Sequence, residues 1–333
     1  MRRPGPGHMI PEGPMVRTPP LRIVSYNVRY FGHALKGLAS TRGPEHRIAR
    51  ALASLDPVPD VVCLQEIETI SLRSRLAYRR ATRGKTQLES FMAALERSFV
   101  GMGVPFPYDG FYFQAHANRI RKVAITTHGL AILVNTRRLR VESHNVDSPQ
   151  HITHHHVERF RDRKQARICA HMSLVDPSGR RLHVFNTHIS LPTPFARGFW
   201  TEPARMGWGP NQLHEARTLA TVVARHAAAE PFVVCGDFNS APGSPVFRYL
   251  TETAGFRSAQ QALGVIDPDD ARGWPTAGFM RMRMHLDHLF SGNGVRFLDL
   301  DGSSRFGDKR SPFAGLSDHV PLIGRLRCDA ARP

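Results

Sequence analysis

The chain has 333 residues, of which 45 are Lys or Arg and 28 are Asp or Glu, giving a formal net charge of +17. A chain of this length can bury a full hydrophobic core, and its 41% apolar and 22% charged residues exclude a disordered chain. No apolar run reaches the roughly 18 residues of a membrane-spanning helix, and the four cysteines lack the Cys-x-x-Cys spacing of a zinc site or disulfide scaffold.

Residues 1–19 are rich in proline and glycine without periodicity and read as a mobile tail. Two arginines near the start have no apolar stretch behind them, so no secretory signal is read and a cytoplasmic location is expected. From Leu21 the texture changes: Leu21, Ile23 and Val24 open a buried strand that ends on the polar Asn27. Apolar spacing at Ile48, Ala51, Leu52 and Leu55 predicts a helix over 46–55. A second apolar strand, 60–66, ends on Gln65-Glu66, and the same grammar recurs over 129–135, 182–188, 232–239 and 285–290. Helices are predicted over 88–99 and 211–229. Strands and helices interleave with no linker, so 20–328 reads as one domain, followed by a short tail over 329–333.

Several of these strands end on Asn, Gln-Glu, Asn-Thr-His or Asp-Phe-Asn. A single polar strand end commonly does no more than begin a turn. Several together, each behind an apolar run, would gather carboxylates, amides and imidazoles at one sheet edge, which is the pattern of an active site. In Gly236-Asp237-Phe238-Asn239 the two-residue period puts Asp237 and Asn239 on one face and Phe238 inside. A carboxylate beside an amide can orient a water and hold a developing oxyanion. Ser317-Asp318-His319 supplies an imidazole that can pair with a phosphate once a carboxylate fixes its ring, and Asp287 is the expected partner. Glu66, at the end of a buried strand, needs a partner or a cation. Magnesium suits such a site, because it accepts one or two carboxylates and shares phosphate oxygens.

Together these segments resemble the endonuclease/exonuclease/phosphatase superfamily, with its DNase-I-like fold, over residues 21 to 327 and in the family's order. Ile23-Val24-Ser25-Tyr26-Asn27 is similar to the opening strand with its metal-site asparagine, and 60–66 to the strand carrying the metal-binding glutamate. Asn186-Thr187-His188 is similar to the strand-end histidine of the DNase and sphingomyelinase branches, and disfavours the apurinic endonucleases. Gly236-Asp237-Phe238-Asn239, His285-Leu286-Asp287-His288 and Ser317-Asp318-His319 resemble the remaining signatures. The resemblance implies an α+β fold, a four-layer α/β/β/α sandwich of two mixed β-sheets flanked by helices. It implies a metal held by Asn27, Glu66 and Asp318 (Mg2+, with Mn2+ a substitute), and a catalytic set of His188, Asp237, Asn239, Asp287 and His319. Arg167 resembles an arginine of many bacterial members and is a candidate phosphate grip.

The implied activity is metal-dependent phosphodiester hydrolysis, with nucleic acid as the expected substrate. The net charge of +17 favours a polyanion, although 40 of the 45 cations are arginine, a skew that a GC-rich genome also produces. The alternatives are a phospholipid or inositol-phosphate hydrolase on the same core, and a non-catalytic scaffold, which the full residue set disfavours. Residues 71–85, with Arg73, Arg75, Arg79, Arg80, Arg83 and Lys85 around Tyr78, read equally as a nucleic-acid track or a solvated face. The insert 192–210, with Phe195, Phe199, Trp200, Met206 and Trp208, reads as a substrate-facing loop. His151, His154, His155 and His156 read as a loop that gains charge in acid, and Cys63 and Cys235 as small core residues.

Overall fold

The computed structural model describes residues 19–31, 42–71, 87–120, 123–153, 166–192, 205–267, 269–270, 273–279 and 281–328. The expected tails other than residue 19, the basic stretch beyond Ser71, His154 to His156 and residues 193–204 of the insert lie outside them.

Four strands open the chain: β1 (Leu21–Asn27), β2 (Val61–Ser71), β3 (Tyr108–Ile120) and β4 (Val123–Asn135). Five follow: β5 (Arg140–His144), β6 (Gln150–His151), β7 (Ile168–Val175), β8 (Arg181–His188) and β9 (Phe232–Asp237). Then come β10 (Arg257–Ser258), β11 (Ala277–Phe279), β12 (Met282–Met284), β13 (Asp287–Gly292), β14 (Val295–Asp299) and β15 (Leu322–Cys328). One sheet runs β14-β15-β1-β2-β4-β3, with β1 and β2 parallel and the other neighbours antiparallel. The second runs β10-β13-β9-β8-β7-β5, with β6 also on β7 and only β8 and β9 parallel. Both sheets are mixed, as the α+β sandwich requires.

Alternation along the strands builds the layers. Ile23 and Cys63 of the first sheet join Val184, Val233 and Cys235 of the second in one apolar interior. Their neighbours Val24, Tyr26, Val62 and Leu64 face the other way, onto α1 (Arg42–Ala53) and α2 (Gln87–Gly101). Leu88, Phe91, Leu95 and Phe99 recur at helical spacing on α2, and all are buried. Each such phenylalanine stabilises by about 1.5–3 kcal/mol through the area it removes from water. On the other side, α3 (Pro210–Ala227) packs Ala216, Leu219 and Val223 against the second sheet.

A polar bridge crosses the interior between the sheets. Gln65 Nε2 donates to Asn186 Oδ1 (2.8 Å), and Asn186 Nδ2 donates to the carbonyls of Leu64 (3.0 Å) and Ala131 (3.1 Å). The parallel pairs bring Asn27 opposite Gln65 and His188 opposite Asp237, so the ends of β1, β2, β8 and β9 share one edge. Gly236 makes the close approach of β8 and β9 there possible. Its φ is +153°, and a Cβ would lie 2.0 Å from the Thr187 carbonyl oxygen.

Two strand ends depart from simple extension. β2 continues past Glu66 to Ser71, with its register against β4 broken between Leu64 and Ile67. Glu66, with φ +58°, occupies that bulge, which re-aims its side chain. β9 stops at Asp237, not at Asn239, whose φ is +45°. The predicted two-residue alternation therefore does not hold to Asn239: its N–H donates to Asp237 Oδ1 (2.9 Å) in a side-chain-closed turn. Phe238 is fully buried, as expected.

Candidate active site

The shared edge opens into a cavity of about 390 Å³. Glu66, Arg167, His188, Asp237, Asn239, Asp318 and His319 line it, together with Arg29 and Tyr30. Asn27 and Asp287 stand behind, hydrogen-bonded to the lining residues. The structure thus brings all nine sequence-derived site residues to one place.

Asp237 Oδ2 is the meeting point. Asn27 Nδ2 donates to it (3.0 Å) and also to Glu66 Oε1 (3.2 Å). His188 Nε2 lies 3.5 Å and His319 Nε2 3.7 Å from the same oxygen. Asn239 Nδ2 reaches His188 Nε2 (3.2 Å) and the Ile189 carbonyl (2.9 Å). Burial pushes the Asp237 carboxyl up to about 7 against the pull of His319, and the charge of Asp287 pushes the same way. Burial also disfavours the His319 imidazolium, but Asp287 and Asp237 outweigh it and hold His319 well above the ordinary imidazole range. With two carboxylates facing it, His319 keeps the proton.

His319 Nδ1 donates to Asp287 Oδ2 at 2.8 Å. That oxygen also accepts from Thr276 Oγ1 (2.6 Å), while Thr276 Oγ1 accepts from the N–H groups of Leu286 (3.0 Å) and Asp287 (3.1 Å). Ser317 fixes the segment from below, donating to the Asn27 carbonyl (2.8 Å) and accepting from the His319 N–H (3.3 Å). Arg167 Nε donates to Ser190 Oγ (3.4 Å), and Ser190 is held through N and Oγ by the Glu215 carboxylate (2.7 Å each).

Several of these residues carried no motif. Thr276 contacts Asp287 across a loop, without a periodic signal. Glu215 had one: with Gln212 it lies on the same helical stripe as Leu219 and Val222, and a buried acid on an apolar stripe requires a partner. Arg29 is the third. Its guanidinium binds Asp318 at 2.6 Å, and it opens a left-handed run, with φ of 44°, 55° and 52° at Arg29, Tyr30 and Phe31. Non-glycine residues in this region cost about 1–3 kcal/mol each. The run is held by Asn27 Oδ1 accepting from the Arg29 N–H (3.0 Å), by Gln87 Nε2 donating to the Tyr30 carbonyl (3.0 Å), and by Phe31 stacked on Phe91.

Two groups of side chains bear on a metal. Asp237, Asp287 and His319 bring three potential ligand atoms within 4.8 Å of one another, but a proton already joins His319 to Asp287. Glu66 and Asp318 are the second group. Burial and the Asp318 charge together push the Glu66 carboxyl up. Two carboxylates that repel each other fit a hard divalent cation; the Asn27 amide beside them turns its nitrogen to Glu66 and its oxygen to the Arg29 N–H.

The sequence model of the Endonuclease/Exonuclease/phosphatase family matches residues 24–319, and the chain belongs to that family. Its fold is similar to that of an endonuclease/exonuclease/phosphatase from Bacteroides vulgatus, with a TM-score of 0.62 and 17% identity over 94% of this chain and 100% of that one. The human Nocturnin catalytic domain is similar at TM-score 0.59 and 17% identity, over 94% of this chain and 95% of that one. ANGEL2, a 2',3'-cyclic phosphatase solved with adenosine-2',3'-vanadate, is similar at TM-score 0.58 and 17% identity, over 93% and 96%. No curated protein matches the chain.

Proposed function

We propose that this protein hydrolyses phosphodiester bonds of nucleic acid with the help of a divalent cation. The observation that carries this reading is Asp237: a buried carboxylate whose two oxygens are held by the Asn27 amide and the Asn239 N–H, facing an imidazole oriented by Asp287. Family membership and the net charge of +17 support it.

Asp237 Oδ2 accepts the proton of the attacking water as the new P–O bond forms and the ester P–O bond breaks. His319 Nε2–H donates to a non-bridging phosphoryl oxygen, and Asp287 keeps the proton on Nδ1 that fixes its ring. The Asn239 amide and His188 stabilise charge on the same phosphoryl group. Arg167, braced by Ser190 and Glu215, grips a second oxygen of the substrate. The leaving alkoxide takes its proton from solvent. Glu66, Asn27 and Asp318 would hold the cation, Mg2+ or Mn2+, which when bound supplies Lewis-acid stabilisation of charge on the phosphoryl oxygens.

The test is a substrate panel of supercoiled plasmid, single-stranded DNA, RNA, sphingomyelin and inositol phosphates, each with Mg2+ and with EDTA, and an Asp237→Asn protein beside the wild type. Turnover of a polynucleotide that needs the cation and falls by about 10²–10⁴ in Asp237→Asn is expected. EDTA-resistant turnover, or full activity in Asp237→Asn, would overturn the mechanism. Turnover of lipid or inositol phosphate alone would overturn the substrate.

A further inference from the structure

Helix α3 starts beside the cavity, and two polar side chains of its first turns are turned inward. Gln212 and Glu215, three residues apart on one face, are both fully buried. The Gln212 amide makes four hydrogen bonds. Its Oε1 accepts from the N–H groups of Gly207 and Gly209 (3.1 Å each), and its Nε2 donates to the carbonyls of Ser190 and Asn239 (2.8 Å each). A carboxamide oxygen has two lone pairs and its nitrogen two N–H groups, so the whole capacity of the side chain is used.

One of the four bonds belongs to the helix itself. Gly209 is the N-cap, and the third helical residue commonly returns a hydrogen bond to the N–H of that position. The other three bonds run to three separate segments at the cavity. Ser190 follows His188 by two residues. Gln212 holds its carbonyl, Glu215 holds its N–H and Oγ, and Arg167 Nε reaches the same Oγ. Gly207 belongs to a turn whose Met206 lines the cavity. Its φ is +91°, and a Cβ there would lie 2.3 Å from Ser244 Oγ. The Ala241 N–H binds the Met206 carbonyl (3.0 Å) and the Val246 N–H the Gly207 carbonyl (3.3 Å), so this turn is pinned from two sides.

The third segment is the turn at Asn239. A left-handed conformation of a non-glycine residue persists only where its surroundings fix it. The Asn239 backbone is fixed at its N–H by Asp237 and at its carbonyl by Gln212. Its side chain then reaches His188 Nε2 (3.2 Å) and the Ile189 carbonyl (2.9 Å). Without the bond from Gln212 the turn is free to relax, and the amide moves away from His188. We propose that Gln212 is a positioning residue for the reaction: through the Asn239 and Ser190 carbonyls it sets the spacing of Asn239, His188 and Arg167, and it ties that spacing to the turn at Gly207. This rests on the phosphodiesterase reading above, in which those three side chains meet the substrate. Glutamate lacks the donors for this role, lysine lacks the acceptors and methionine lacks both.

Two variants test it. Gln212→Met removes all four bonds, whereas Gln212→Glu keeps an oxygen for Gly207 and Gly209 and loses both N–H groups. The first readout is residue-resolved amide hydrogen exchange in EDTA, without substrate. In both variants the Asn239 N–H is expected to exchange at least about tenfold faster than in the wild type, while Val233 and Val234 of β9 stay within about twofold. The second readout is the rate on whichever substrate the hydrolysis panel turns over. There kcat is expected to fall by about 10–100-fold with KM within about threefold, because a misplacement of about 1 Å costs on that order. A Gln212 that only caps the helix predicts wild-type exchange at Asn239 and wild-type kcat in Gln212→Glu, and that result would overturn the inference. Unchanged Asn239 exchange in Gln212→Met would do the same, as would faster exchange with unchanged kcat. Failure of both variants to fold would assign the bonds to the fold and also overturn it. Absence of turnover by the wild type sinks the phosphodiesterase reading separately, because the exchange at Asn239 is read without turnover.

Discussion

Asn27 and Asp237 stand 210 residues apart in the chain and meet through a 3.0 Å hydrogen bond that ties the end of β1 in one sheet to the end of β9 in the other. The same amide also donates to Glu66 at 3.2 Å. One carboxamide thus sets the spacing between the proposed base, Asp237, and Glu66, proposed to hold the cation, and it can do so only while the two sheets keep their register.

Asn27→Ala removes both donors at once. Support of this kind for catalytic and ligand carboxylates is worth about 10–100-fold in activity or metal affinity. The variant is expected to lose kcat/KM in that range and to need more Mg2+ for half-maximal rate. A Mg2+ titration of the initial rate measures both, and an unchanged titration curve would remove Asn27 from this role.

Thr276 makes a sharper test, because it touches neither substrate nor cation. Its hydroxyl donates to the Asp287 oxygen that accepts from His319. Thr276→Val leaves that oxygen with one donor and leaves the Leu286 and Asp287 N–H groups without their acceptor. A loss of about tenfold in kcat is expected, with Thr276→Ser close to wild type. Because the effect runs through the His319 ring, the pH–rate profile should move as well. A slower variant with an unmoved profile would indicate a structural role only.

The central strands and the main helices were legible: β1, β2, β4, β8 and β9 read as short continuous apolar runs because both of their faces are covered, and α2 and α3 repeat buried residues every three to four positions. The site was legible because its polar residues interrupt those patterns at strand ends. Backbone devices were not. The bulge at Glu66, the left-handed run at Arg29 to Phe31 and the turn at Asn239 each place a side chain through a positive φ, which ordinary residues adopt without a compositional signal. Thr276 was hidden for another reason: its partners Leu286 and Asp287 lie across a loop, where neither the helical nor the strand period applies. Asn186 sits in a strand whose end was read as site chemistry, yet its side chain points between the sheets.

That position yields a contrast with the site residues. Asn186 holds Gln65 and the carbonyls of Leu64 and Ala131 inside an otherwise apolar interior. In Asn186→Ala the two carbonyls lose a donor and Gln65 loses its best acceptor, keeping only Ser25 Oγ and the Cys63 carbonyl at 3.2 and 3.3 Å, and the loss of these buried hydrogen bonds costs about 1–3 kcal/mol. Urea unfolding should show a destabilisation of that size, while kcat per folded molecule stays within about twofold. A large loss of kcat with unchanged stability would mean that the bridge serves the site and not the sandwich.

Acid should weaken the fold before most carboxylates titrate. His285 is fully buried, with Nδ1 bonded to the Trp274 carbonyl and Nε2 near Gln260, and burial lowers it from 6.5 to about 4. His171, stacked on Phe185, is lowered to about 3, first by burial and then by the charges of His226 and His183. An unfolded chain binds protons at these rings near pH 6.5, whereas the folded chain refuses them until far lower. Their contribution is therefore present in full above pH 6.5 and is lost as the pH falls toward 4. From pH 7 to pH 5 the loss is about 2 kcal/mol from His285 and a similar amount from His171. Asp237, raised to about 7, works in the opposite direction over the same range, so the His285 part is isolated by comparing urea midpoints of the wild type and of His285→Gln, which can still donate to the Trp274 carbonyl, at both pH values. The variant is expected to lose about 2 kcal/mol less than the wild type between pH 7 and pH 5, and an equal change in both proteins would show that His285 does not exclude its proton in the fold.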